Sequence, residues 1–424
     1  MMAQFPLVFR ARQTFPRPQV ADIPARVREE FDRIGLSQRI RPGQTVAITA
    51  GSRGIANIAK ILAAVSDTVR QYGAQPFVIP AMGSHGGADA EGQLGVLSSY
   101  GITAGKIGCE IRAGMDTEVV GQSQWGFPIH FDRLAYRADH VIICNRVKPH
   151  TDFAGTYQSG LVKMMLIGLG KFNGAKNYHH ATMDHGLDAV VLDVAPKILA
   201  TGKIAAGLAI VENGYDETAH LEAVEPDRFL ARDPELLAMA VNNLARLPFD
   251  DIDVLVIDEI GKNISGTGMD TNVVGRKFND HEAIPGETPR VRRIVVRNLT
   301  EATHGNAVGL GMCEFCRKQA VDQMDQRSTF INGITSGHVS AAMIPIHFET
   351  DREVLTQALE TIGLTKPQDA KLVWIRNTLR LDTLECSSAL WNQVAELDHV
   401  EPVTDKRSLP FDARGNLPQF VTGW

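Results

Sequence analysis

CNRVKPHTDFAGTYQSGLVKMMLIGLGKFNGAKNYHH, Cys144 to His180, places three histidines, four lysines and a series of glycines in one strand-to-helix passage. The apolar run ending in Ile143-Cys144-Asn145 reads as a buried strand, and Pro149 biases Lys148 toward extended backbone and against helix. His150 is therefore expected at a strand's end. The segment 159–169 that follows is apolar and punctuated by glycine, with Lys163 set alone among Leu161, Val162, Met164 and Met165. Taken by itself, such a lysine is a surface residue whose stem snorkels along an apolar face.

Two earlier stretches have the same build. TVAITAGSRG (45–54) and PFVIPAMGSHGG (76–87) are short apolar strands that break into glycine, serine and one basic or imidazole side chain, Arg53 in the first and His85 in the second. In open α/β sheets ligands bind outside the carboxyl ends of the strands, so Arg53, His85 and His150 are expected to converge on one crevice.

In order and spacing these residues resemble the nickel-pincer nucleotide lactate racemases and their homologues. That family carries a D-x-T-R loop, a G-T-H-R loop, a histidine followed by a glycine-rich segment with a lysine, and a last histidine about four turns on. The matching positions here are Ala50-Gly51-Ser52-Arg53, Gly83-Ser84-His85-Gly86, His150 with Phe153-Ala154-Gly155, Lys163 and His179. Between His150 and Lys163 there are about three more residues than in the family pattern. The resemblance implies His85 and His150 as catalytic acid and base, Arg53 on the substrate carboxylate, Lys163 as a thioamide tether, and His179 as the protein ligand of nickel, with His180 as its fallback. Ser52, Ser84, Gly155 and Gly168 would line the cofactor. The implied cofactor is a nickel-pincer nucleotide, a pyridinium mononucleotide whose nickel is held by a carbon and two sulfurs, leaving a place that an imidazole can complete.

The implied reaction is racemisation or epimerisation of a 2-hydroxy acid, in which hydride passes to the cofactor and back while the two histidines handle the hydroxyl proton. Four positions depart from the family. Ala50 stands for its aspartate and Gly86 for its arginine. In the stretch 266–277, which resembles the family's substrate-closing D-I-N-x-Y-Q-x-x-K, Val274 and Gly275 replace tyrosine and glutamine, with Arg276 or Lys277 as the basic substrate contact. Smaller side chains at these places predict a substrate bulkier than lactate. The rival readings are a relative that only binds or carries the cofactor, and an unrelated small-molecule hydrolase or dehydrogenase; no GxSxG, HExxH or dinucleotide fingerprint supports the latter.

The rest of the chain sets the frame. A length of 424 residues with 44% hydrophobic and 22% charged residues is that of an ordinary globular chain of two or three domains. The net charge of −6 offers no basic field for nucleic acid. Five scattered cysteines point to reduced thiols. Without an apolar leader or a membrane-spanning run, a cytoplasmic location is expected, with a small 2-hydroxy acid and the proteins that make the cofactor as partners.

Alternating helix and strand patterns predict an α/β fold: two α/β domains with mostly parallel sheets, and the active site in the cleft between them. The cofactor-binding domain is placed at 1–248, a closing domain at 249–400, and at 401–424 a tail packing back on a domain surface. Helices are expected over 55–72, 187–199, from Asp233-Pro234 to about 247, and over 353–362. Strands are expected at 204–211, 254–257, 293–296 and 371–375. The first of these helices would put Ser52, Arg53 and Gly54 at a helix N-terminus.

Overall fold

The computed structural model of the chain describes residues 5–52, 54–151 and 155–421. They form an α/β fold in two compact units, one of Pro16–Leu244 and one that joins the residues up to Phe15 to those from Ala245 onward. The first unit is built on a six-stranded sheet in the order Glu110–Ile111, Gln75–Pro80, Thr45–Ala50, His140–Arg146, Ile204–Glu212 and Thr218–Val224. The first five run parallel, and the last is an antiparallel edge. Alternation along the strands fills both faces. Ala47, Phe77, Ile79, Val141 and Ile143 pack with Leu161 to Leu169 and with the helices Leu187–Leu199 and Phe229–Asn243. Val46, Ile48, Val78 and Ile142 pack with Ile23–Arg33 and Ile58–Gln71 on the other face. Burial on both faces explains why these strands read as continuous apolar runs.

Two helix starts differ from the sequence expectation. The helix predicted from residue 55 begins at Ile58, because Asn57 takes a left-handed backbone with φ 59°. The Ala56 N–H is held by Glu212 Oε1 at 2.6 Å. Ser52 and Gly54 therefore lie in a loop ahead of the helix and not at its N-terminus. The helix predicted from Asp233 starts at Phe229 and carries Pro234 in its interior. Pro234 has no N–H for the Leu230 carbonyl, and the Tyr157 hydroxyl supplies that bond at 2.9 Å.

The second unit has an eight-stranded mixed sheet, ordered Ile346–Phe348, Phe315–Arg317, Arg290–Leu299, Asp251–Ile260, Leu372–Ile375, Thr383–Ser387, Val8–Gln13 and Val400–Pro402. The N-terminal residues, read from sequence with the first domain, thus give this unit a strand, antiparallel to Thr383–Ser387. The tail packs on the same unit, where Leu409, Leu417 and Phe420 are buried with Val254, Val295 and Trp374. Its clamp is Arg297, only 2% exposed. The guanidinium donates to Asp351 through Nε and Nη2 at 2.9 Å each, to Asp258, and to the Leu417 and Pro418 carbonyls at 2.7 and 3.0 Å. Asp258 in turn accepts from the Trp374 indole and the Phe420 N–H. Cys313 and Cys316 are buried free thiols, pushed up by desolvation. Among the described residues no helix is long and apolar enough to cross a membrane.

Candidate active site

Three adjacent parallel strands of the first unit end side by side, since Ala50 lies opposite Pro80 and Ile48 opposite Ile142. Their loops carry Ser52, His85 and His150. The second loop turns at Met82, whose carbonyl accepts from the His85 backbone N–H at 3.1 Å and lies 2.9 Å from His85 Nδ1. Ser52 Oγ on the first loop is 3.1 Å from the same ring nitrogen. The His85 side is exposed, as is Ser84 beside it. Gln93, fully buried, donates through Nε2 to the carbonyls of Gly83 and His85 at 3.1 and 3.2 Å.

Lys163 sits half-buried at the end of a helical turn, Leu161–Lys163, that continues as a π-helix over Met164–Gly168. Such π-turns recur at functional sites. Two carboxylates fix this passage. Asp188 accepts the N–H groups of Thr156 and Tyr157 at 2.8 and 3.0 Å, and Asp233 accepts those of Leu161 and Val162 at 3.1 and 2.8 Å. Burial pushes the Asp233 carboxyl up to about 6, against the pull of the two donors. Both acids were missed as site-builders in the sequence, since their partners are backbone amides that no motif records.

The same passage presses on the His85 loop. A Cβ on Gly168 would lie 2.8 Å from the Ala81 carbonyl oxygen, and one on Gly83 would lie 3.3 Å from Ile167 and 3.2 Å from Ala175. Ala175 belongs to the helix Lys171–His185, and His179 follows it by four residues on the same face. His180 points along a different stripe; both histidines are exposed. Lys171 is wholly buried, donates to the Pro80 carbonyl at 2.6 Å and pairs with Asp132 at 2.8 Å, which fixes the start of this helix to the end of the His85 strand. The structure thus brings Ser52, His85 and the segments of Lys163 and His179 together. His150 is half-buried, with its backbone N–H on Gln158 Oε1 at 3.0 Å. Arg53, Phe153 and Ala154 lie outside the described residues.

Several positions that the sequence assigned to ligands are taken up by packing. Gly155, at φ 128°, would put a Cβ 2.7 Å from the Asp188 carboxylate. Arg276 is 1% exposed; its Nη atoms donate to the carbonyls of Asp280 and Val291 at 3.1 and 2.8 Å, with Glu314 at 3.2 Å. Desolvation lowers its pKa. A guanidinium spent in this way is not presented to a substrate. Lys277 Nζ donates to Asn272 Oδ1 at 3.3 Å, and Asn272 is oriented by Asp270.

The four departures are also packed. Ala50 and Val274 are fully buried. Gly275, at φ 67°, would place a Cβ 1.9 Å from the Pro289 carbonyl oxygen, and Gly86, at φ 66°, one 2.7 Å from the backbone of Gly92 and Gln93. These residues are small because backbone or core occupies the space a larger one would need, so the roomier pocket inferred from them loses its basis.

Among curated proteins none matches the sequence. Of solved structures, the lactate racemase apoprotein from Thermoanaerobacterium thermosaccharolyticum is similar in fold, with a TM-score of 0.56 at 13% identity, covering 89% of this chain and 94% of that one. A family model, the lactate racemase N-terminal domain, matches residues 11–189, a span that holds Ser52, Arg53, His85, His150, Lys163 and His179. On that match, residues 11–189 belong to the lactate racemase N-terminal domain family.

Proposed function

We propose that the protein is a racemase or epimerase of a 2-hydroxy acid that works with a nickel-pincer nucleotide. The observation that carries this reading is the 81–85 loop, which touches Ser52 on the neighbouring loop, the Lys163 segment through Ile167 and Gly168, and the His179 helix through Ala175. An amine and an imidazole on two helical segments that both rest on a histidine-bearing loop fit a tethered nucleotide with a histidine-ligated metal. Among the described residues no group of three His, Cys, Asp or Glu side chains is spaced to hold a metal ion. A metal bound through His179 would take its other ligands from the cofactor.

Lys163 would hold the nucleotide and His179 its nickel. When bound, that group supplies a reversible acceptor for the hydride at C2. The residues of the chain supply the rest. Arg53 is assigned the substrate carboxylate, where a bidentate guanidinium fixes orientation. His85 and His150 are assigned the hydroxyl proton, one for each face of C2. No size preference follows from positions packed as Ala50, Gly86, Val274 and Gly275 are. The cofactor implies partner proteins that synthesise it.

The experiment is co-expression with enzymes that make the cofactor, followed by intact mass, metal content and turnover of a hydroxy-acid panel of graded size. Nickel, a nucleotide adduct on Lys163 and racemisation of one panel member are expected. Nickel and adduct without any turnover would favour the reading as a cofactor-binding relative. Absence of both nickel and adduct would overturn the proposal.

A further inference from the structure

Ser52 was assigned to the cofactor by resemblance, yet its hydroxyl lies 3.1 Å from His85 Nδ1. The same nitrogen is 2.9 Å from the Met82 carbonyl. A carbonyl oxygen only accepts, so a neutral imidazole held there carries its proton on Nδ1 and its lone pair on Nε2. With Nδ1–H already directed at Met82, the Ser52 hydroxyl is left to accept from the same N–H. The carbonyl is itself rigid. Met82 and its strand end are buried, and the loop is tied down on its far side by the Gln93 amide, which holds the carbonyls of Gly83 and His85. Gly86 closes the turn directly against the backbone of Gly92 and Gln93.

We propose that Ser52 is a positioning residue for His85: together with the Met82 carbonyl it holds the ring with Nδ1 protonated, which makes Nε2 the nitrogen that exchanges the substrate's hydroxyl proton. The proposal rests on the reading of His85 as an acid–base residue, and it deepens that reading by naming the nitrogen and the groups that select it. The contact also links the loop that carries Ser52 to the loop that carries His85. The Tyr100 hydroxyl, which donates to the Ser52 carbonyl at 3.1 Å, steadies the first loop from the other side.

The test begins without cofactor or substrate. In cofactor-free chain labelled with nitrogen-15 histidine, the His85 signal is identified by its loss in His85→Asn, and its two-bond correlation pattern gives the tautomer of the neutral ring. A protonated Nδ1 is expected, and a protonated Nε2 would overturn the proposal. This readout stands whether or not the protein proves to be a racemase.

The second arm uses cofactor-loaded protein. Ser52→Ala should keep its nickel and nucleotide and its KM, and lose about tenfold in kcat, the worth of one hydrogen bond to a reacting group. Ser52→Thr, which keeps the hydroxyl, should restore the rate. Loss of the cofactor from Ser52→Ala would show Ser52 to be a cofactor ligand and overturn the positioning role, as would an unchanged kcat. Absence of turnover in the parent chain with every hydroxy acid tried would strike the functional reading and leave the tautomer result to decide this one.

Discussion

Restoring the family's arginine at position 86 should destabilise the protein without giving it a useful cation. Gly86 has φ 66°, a backbone that costs an L-residue about 1–2 kcal/mol. An added Cβ would also lie 2.7 Å from both Gly92 C and Gln93 N, atoms of a helix start that cannot rotate away. Moving that backbone adds overpacking strain of about 1–3 kcal/mol. The sum is about 2–5 kcal/mol for Gly86→Ala, and Gly86→Arg should cost a similar amount because the loss arises at Cβ. The next residue is a built-in control. Gly87 has φ 71° but no atom within 4 Å of its Cβ position, so Gly87→Ala should lose only about 1–2 kcal/mol. Urea unfolding followed by circular dichroism gives both values from the shift in midpoint at constant slope. If Gly86→Ala costs no more than Gly87→Ala, the contact with the helix start is not what excludes a side chain. If Gly86→Arg is as stable as the parent, the departure from the family is a loss of charge after all.

Arg297→Met should cost about 3–5 kcal/mol by leaving Asp258 buried without its cation and Asp351 with only the more distant Arg317, at 3.7 Å. Hydrogen exchange should show residues 417–420 losing protection, and an unaltered tail would refute the clamp. The raised pKa of Asp233 has a definite sign. Its neutral form is favoured in the folded state, so its contribution to stability is full below its ordinary value of 3.8 and is lost as pH rises through about 6. The loss is about 3 kcal/mol, and Asp233→Asn should flatten the stability profile in that window. Equal slopes for the two proteins between pH 4 and 6 would sink this account. His179→Ala should abolish nickel retention in loaded protein while His180→Ala keeps it; the reverse result would move the metal to the neighbouring stripe of the helix.

What the sequence determined is local or periodic. The apolar runs at 45–50, 75–80 and 140–146 signalled adjacent buried strands because both faces of such strands are covered, and a strand covered on both sides has no polar alternation to hide it. Once those strands are parallel, their loops must emerge at one edge, so the order of strand and loop already put the loops that carry Ser52, His85 and His150 on the same edge of the sheet.

Tertiary structure decided whatever depends on partners remote in sequence. Asp188 and Asp233 look like ordinary helix acids until they are seen to hold the amides around the Lys163 segment. The strand Val8–Gln13 pairs with residues almost four hundred positions away, so no local pattern could assign it to the second unit. Arg276 has the composition of a substrate contact and the surroundings of a buried brace. Gly86 and Gly275 look in sequence like lost side chains. Only the positive φ of each, with the backbone of Gln93 and the carbonyl of Pro289 standing where a Cβ would be, shows that the fold admits none there.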